Sequence, residues 1–163
     1  MEEEMQARDE GEPLFVFQVA ATLLAVDAQQ VDAVLPEAEM TPVPCTPPYV
    51  LGLVPYGEST LPIIDPARFL ELGVESAAPD GVSRRVVVLS SGALCAGLLC
   101  ERAAGVVLDE RAARQPATVL TGGRLGDFLQ AEFETAEARV GLIEVASLLD
   151  AARIRPASTG AAG

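Results

Sequence analysis

The chain is expected to fold as a mainly β protein of two similar small lobes with short helices, and three observations predict this. Apolar residues come in short runs separated by turn residues, the length of strands. Four prolines fall within MTPVPCTPPYV at 40–50, which excludes a helix or a central strand there. The sequence also repeats itself weakly. LAVDAQQVDAVL (24–35) aligns with GLLCERAAGVVL (97–108), and IIDPARFL (63–70) with LIEVASLL (142–149), at offsets of 73 and 79 residues.

The elements follow in order. Residues 1–12 hold six acidic residues and one arginine without apolar periodicity, and read as a disordered arm. LFVFQV (14–19) and TLLAV (22–26) flank Ala20-Ala21 as a hairpin, and VDAVL (31–35) is a third strand. The Pro-rich stretch is an ordered, extended connection. GLVP (52–55) and TLPIID (60–65) form a second hairpin around a reverse turn at Pro55-Tyr56-Gly57-Glu58, where Gly57 supplies a positive φ and proline a fixed one. A short helix over 66–72 comes next. Asp65 can cap its free amides, Pro66 sits where a missing N–H costs nothing, and Gly73 ends it. RVVVLS, ALCAGLL and AAGVVL give three more strands. DFLQAEFET and RVGLIEV give the last pair, and ASLLDAARI (146–154) a second helix. PASTGAAG (156–163) reads as a flexible tail.

Each half therefore holds a hairpin, a third strand, a proline-containing connection, a second hairpin and an acidic residue opening a helix. This predicts one domain over 13–155, with lobes at about 13–80 and 81–155. Strands this short escape the exposed-edge problem by closing into barrels.

Composition narrows the function. A chain of 163 residues buries roughly 70% of its unfolded surface, so a core forms without disulfides or metals. With two Tyr and five Phe in a chain that is 50% hydrophobic, that core is mostly Val, Leu, Ile and Ala. The formal charge of −13 argues against nucleic acid and anionic membranes, and leaves basic protein surfaces as partners. Every basic residue is arginine, which reads as codon bias. The lack of histidine removes His-based general base catalysis and His-containing metal sites. Three cysteines, an odd number without a secretory signal, fit reduced thiols of the cytosol, each a small buried hydrophobe. The start, MEEEMQARDEGEP, is acidic and lacks a signal peptide's apolar region. VVVLSSGALCAGLLC (86–100) is shorter than the ~20 residues of a membrane helix and is broken at Ser90-Ser91-Gly92. A soluble, cytoplasmic protein without direct membrane insertion is expected.

VFQVAATLLAVDAQQVDAVL, then MTPVPCTPPYVLGLV, then LPIIDPARFLELG, resembles the start of a CheW-like domain. Thr41-Pro42-Val43-Pro44, Pro47-Pro48-Tyr49-Val50-Leu51-Gly52 and Leu61-Pro62-Ile63-Ile64-Asp65 stand where that family shows its extended Pro-rich segment and the Leu-Pro…Asp after the hairpin. GRLGDFLQAEFETAEARVGLIEVASLL resembles the closing hairpin and helix, so the likeness covers about 14–154. The resemblance implies paired five-stranded SH3-like barrels joined by a groove. It also implies a non-enzymatic adaptor that couples the cytoplasmic tip of methyl-accepting chemoreceptors to the regulatory domain of a CheA-type histidine kinase, recruited to a chemoreceptor array. One motif departs. The family's hairpin commonly reads Asn-x-Arg-Gly, and Pro55, Tyr56, Gly57 and Glu58 stand here. A carboxylate cannot make the hydrogen bonds of a guanidinium fork, so the departure points to an adaptor restricted to one partner. Glu144 replaces the family's usual Asp at the second helix, a poorer cap.

The candidate contact residues are Tyr56, Gly57, Glu58, Tyr49, Arg84 and Arg85. Tyr56 is either an exposed aromatic anchor or a residue leaning on its own lobe. Tyr49 either packs over the Pro-rich segment or lines the inter-lobe groove. Arg84-Arg85 is either a solvated strand entry or a partner contact. The chain carries no P-loop, GxGxxG, G-x-S-x-G or zinc spacing, and Cys95 and Cys100 do not form CxxC. Asp109-Glu110 and Glu132/Glu134 read as solvated carboxylates, the latter alternating with Phe133 on the outer face of a strand. No cofactor is expected. The alternative function is a small-ligand-binding β-barrel protein that uses the groove as a pocket.

Overall fold

A computed structural model describes residues 13–72, 84–108, 114–117, 120, 123–135 and 138–153. The expected arm and tail, Gly73, Asp109-Glu110 and the boundary at 80/81 lie outside them. The elements are β1 (Pro13–Val19), β2 (Thr22–Asp27), β3 (Val31–Pro36), β4 (Val50–Tyr56), β5 (Ser59–Ile64), α1 (Pro66–Phe69), β6 (Arg85–Ser91), β7 (Leu94–Cys100), β8 (Arg102–Leu108), β9 (Leu129–Glu134), β10 (Arg139–Ile143) and α2 (Val145–Ala152). Among the described residues no helix is long and apolar enough to cross a membrane.

Two five-stranded sheets form, ordered β8-β1-β2-β10-β9 and β3-β6-β7-β5-β4. Exchanging β1–β5 for β6–β10 turns one order into the other, so the repeat seen in the sequence is a repeat of topology. Hydrogen bonds keep its offset of 79 residues. Asp65 N–H donates to Tyr49 O at 2.8 Å, and Glu144 N–H donates to Phe128 O at 2.7 Å. The lobes, however, do not follow the halves of the chain. The first sheet takes β1 and β2 from one half and β8–β10 from the other, and the second sheet reverses this. The expected contiguous lobes, 13–80 and 81–155, are corrected accordingly.

The crossing follows from where the apolar side chains can be buried. Alternate residues of a strand face opposite ways, and the inner strands have a core on both faces. Leu14, Val16, Ala25, Val140 and Leu142 fill the first lobe, together with Phe133. Leu61, Ile63, Val86, Val88 and Leu99 fill the second, with Val54. Their neighbours Phe15, Phe17, Leu24, Val26, Val87, Leu89 and Leu98 meet in a third core between the lobes. Strands buried on both faces read as continuous apolar runs such as VVVL. These are the five-stranded SH3-like lobes expected, and each strand order keeps two end strands instead of closing.

Three hairpins turn on two residues, with φ of 54° at Ala20 and 61° at Gly57 and Gly92. A positive φ at the first turn residue alone is the II′ pattern that matches strand twist. Pro55 and Tyr56 therefore belong to β4 and not to the turn, and Tyr56 pairs with Ser59. Proline is tolerated because β4 ends its sheet.

Both helices begin near their expected starts. Asp65 Oδ1 accepts from Ala67 N–H at 3.1 Å, and Pro66 follows at the first helical position. The first helix is shorter than expected because Glu71 takes φ 54°. Leu72 N–H then donates to Ala67 O, and Glu71 N–H to Arg68 O, which is a Schellman ending. Glu144 makes no side-chain cap bond, in keeping with its poorer capping. Val145, Leu148, Leu149 and Ala152 form the buried face of α2.

Candidate interaction surface

Parallel pairing of β5 with β7 aligns Ile63 with Gly97. The Gly57-Glu58 turn therefore lies at the same end of the second lobe as the Gly92-Ala93 turn. Antiparallel pairing brings Val31 of β3 level with Leu89 of β6, so Asp32 belongs to this end too, and Ser90 Oγ donates to Asp32 Oδ1 at 3.0 Å.

Tyr56 is half-buried, and it packs on the second lobe's core alongside Ala33, Leu35, Met40, Leu51 and Cys95. Desolvation, then the charges of Asp32 and Cys95, push its phenol above the ordinary value. β3 and β4 stand at opposite ends of the strand order, yet Tyr56 of β4 feels Asp32 of β3. Both end strands serve one apolar core, with Ala33 and Leu35 of β3 packed against it as Tyr56 of β4 is. Tyr56 leans on its own lobe and keeps part of its surface in solvent. Gly57 and Glu58 are exposed, and a Cβ at Gly57 would meet nothing within 4 Å.

The other candidates lie elsewhere. Tyr49 is half-buried, edge-on to Phe69 with ring centroids 4.8 Å apart, and packs against the core between the lobes. Phe69 also meets Phe128, and the Arg124 guanidinium lies 4.6 Å over the Phe69 ring. Arg84 and Arg85 stand at the far end of the second lobe, since β6 is seven residues long, roughly 20 Å. Arg84 grips Glu37 through Nε at 3.1 Å and Nη2 at 2.6 Å, and that bond holds its pKa above the usual value. Arg85 is exposed. The structure thus brings together Tyr56, Gly57 and Glu58, and separates Tyr49 and the arginine pair from them.

Sequence reasoning missed Glu132. It is 0% exposed, where the alternation with Phe133 suggested an outer face. Arg139 on β10 donates to its carboxylate through Nε, and Leu120 N–H donates to the second oxygen at 2.6 Å. Gly141 sits opposite Glu132 in the ladder, so a glycine facing the glutamate, with an arginine on the same strand, was the available sign. The cysteines differ as well. Cys100 is buried, its thiol pushed up to about 12 by desolvation. Cys95 is half-buried, and Cys45 is exposed at φ 62° in the Pro-rich connection, contrary to the expected burial.

A shallow groove of about 250 Å³ lies between α2 and the second lobe, lined chiefly by Pro62, Ile64, Leu94, Cys95, Leu149 and Arg153. Among the described residues no three Cys, Asp or Glu side chains gather to hold a metal ion.

The CheW-like domain model matches residues 13–154 of this chain. Protein FrzA of Myxococcus xanthus is 34% identical over 101 residues, which are 62% of this chain and 61% of FrzA. The chain thus spans about three-fifths of that relative's length. The crystal structure of scaffolding protein TtCheW from Thermoanaerobacter tengcongensis superposes with a TM-score of 0.71, covering 82% of this chain and 84% of that one. Its identity is 20%, so the likeness is one of fold.

Proposed function

The chain belongs to the CheW-like domain family of chemotaxis scaffolds, and from that premise we propose that it is a noncovalent adaptor for a CheA-type histidine kinase and its chemoreceptors. The observation that carries this reading is the family match over 13–154, which takes in both lobes together. Domains of this family are scaffolds and not enzymes, so affinity comes from complementary surface. A standard contact buries about 800 Å² on each partner.

The proposed contact is the end of the second lobe that carries Tyr56, Gly57 and Glu58 and, at the same end, the Gly92-Ala93 turn. Half-buried Tyr56 offers a fixed aromatic surface at little entropic cost, and Glu58 stands free beside it. A formal charge of −13 steers the chain toward basic partner surfaces. Because the family's arginine is absent and a carboxylate stands beside its place, the receptor is the partner whose contact changes most, and restriction to the kinase is the favoured variant. In the cell the adaptor works in the cytoplasm, at a receptor array.

The test is a pair of titrations, one with the regulatory domain of the kinase and one with the receptor's cytoplasmic tip. Saturable binding to both describes a coupling adaptor, and binding to one describes the restricted form. Binding to neither sinks the reading. The ligand-binding alternative has the groove beside α2 in its favour. At about 250 Å³ it falls below the roughly 300–1,000 Å³ of usual ligand pockets. A melting temperature raised by a small apolar compound, with no protein partner present, would favour it.

A further inference from the structure

β9 is an end strand, yet its outer edge is occupied. Gln115 N–H donates to Glu132 O at 2.8 Å, and Glu132 N–H returns to Gln115 O at 2.9 Å. Side chains fasten the same contact. The buried Glu132 carboxylate accepts from Arg139 Nε and from Leu120 N–H at 2.6 Å. Arg139 Nη2 donates to Gln115 Oε1 at 2.7 Å, and Nη1 to Glu134 Oε2 at 2.8 Å. Arg139 thus bonds the β9 side chains and the residue lying across them.

The equivalent place in the second sheet has the same backbone and different chemistry. Thr41 and Leu53 exchange two bonds of 2.9 Å on the edge of β4. A Cβ at neighbouring Gly52 would come within 2.8 Å of Met40 Cβ and Thr41 O. Close packing of backbone on glycine keeps this segment in place.

We propose that Glu132 and Arg139 form an electrostatic latch that holds Gln115 on the edge of β9 and the Leu120 backbone against the buried Glu132 carboxylate. Neutralising it opens that edge locally while the rest of the molecule stays folded. Charge-assisted bonds in a low-dielectric site are strong while all are made. Losing one leaves a buried charge short of partners, so the bonds at Gln115 and Leu120 are released together. Opening uncovers a backbone donor and acceptor on β9, the groups through which another strand can pair.

Amide hydrogen exchange on the full chain tests this, with Thr41 and Leu53 as an internal reference. Glu132→Gln keeps the shape and removes the charge. It is expected to speed exchange at Gln115 and Leu120 by at least about tenfold more than at Thr41 and Leu53. Equal acceleration at both edges would mean general destabilisation and overturn the proposal, as would no change. If the variant does not fold, the unsubstituted chain gives the same answer in low denaturant. Exchange at Gln115 and Leu120 should then be independent of denaturant, the mark of a local opening. Exchange that follows global unfolding would contradict the latch.

Discussion

The β9–β10 hairpin of the first lobe encloses a carboxylate, and the equivalent β4–β5 hairpin of the second lobe ends in an exposed turn. Both are crossed by a segment that exchanges two backbone bonds with the end strand, at Gln115 and at Thr41. In the first, Glu132 and Arg139 tie the segment down by charge. In the second, Gly52 and Met40 fit it by shape, and Tyr56 packs on the lobe's own apolar core. One backbone plan, repeated, thus serves a fastened edge in one lobe and an accessible tip in the other.

The largest effect should separate the two glutamates. Glu132→Ala unpairs a buried ion pair and is expected to cost about 3 kcal/mol in urea unfolding. Glu58→Ala, on the exposed turn, should leave the midpoint unchanged. Similar losses at both sites would break the comparison.

The glycines sharpen it further. Gly52→Ala pushes a Cβ into Met40 and the Thr41 backbone, and should cost about 2 kcal/mol. Gly57→Ala meets open space and is strained only by φ 61°, for about 1 kcal/mol. Equal costs would mean that the Thr41 segment is not held by fit.

A smaller effect appears with alkali. Burial raises the Cys100 thiol from 9.0 to about 12. Between those values the unfolded chain releases a proton that the folded chain keeps, so stability present below pH 9 falls as pH rises toward 12. Unfolding midpoints across that range should show the decline, and Cys100→Ala should flatten it. Smallest of all is a difference in labelling: at neutral pH a thiol reagent should modify exposed Cys45 well before buried Cys100.

Local chemistry was the part of the fold legible in the sequence. Asp65-Pro66 announced its helix, Ala20-Ala21 its hairpin, and the aligned segments their repeat, because each signal lies within a few residues of its effect. The exchange of strands between lobes was not legible. Pairings such as β2 with β10 depend on which core each face meets, and short apolar runs look alike whichever sheet they join. Glu132 was hidden for the same reason, since its partners Arg139 and Leu120 come from other segments. Tyr56 was legible as a residue near a turn, but its packing on the second lobe's core depends on how segments distant in the chain come together.

The measurement that tests the account most directly is a titration of the intact chain and of Tyr56→Ala against the kinase regulatory domain and the receptor tip. The intact chain is expected to bind at least one partner saturably, and Tyr56→Ala to weaken that binding about tenfold or more with the fold unchanged. Failure to bind either partner would contradict the adaptor function, and binding indifferent to Tyr56 would remove the second-lobe tip as its contact.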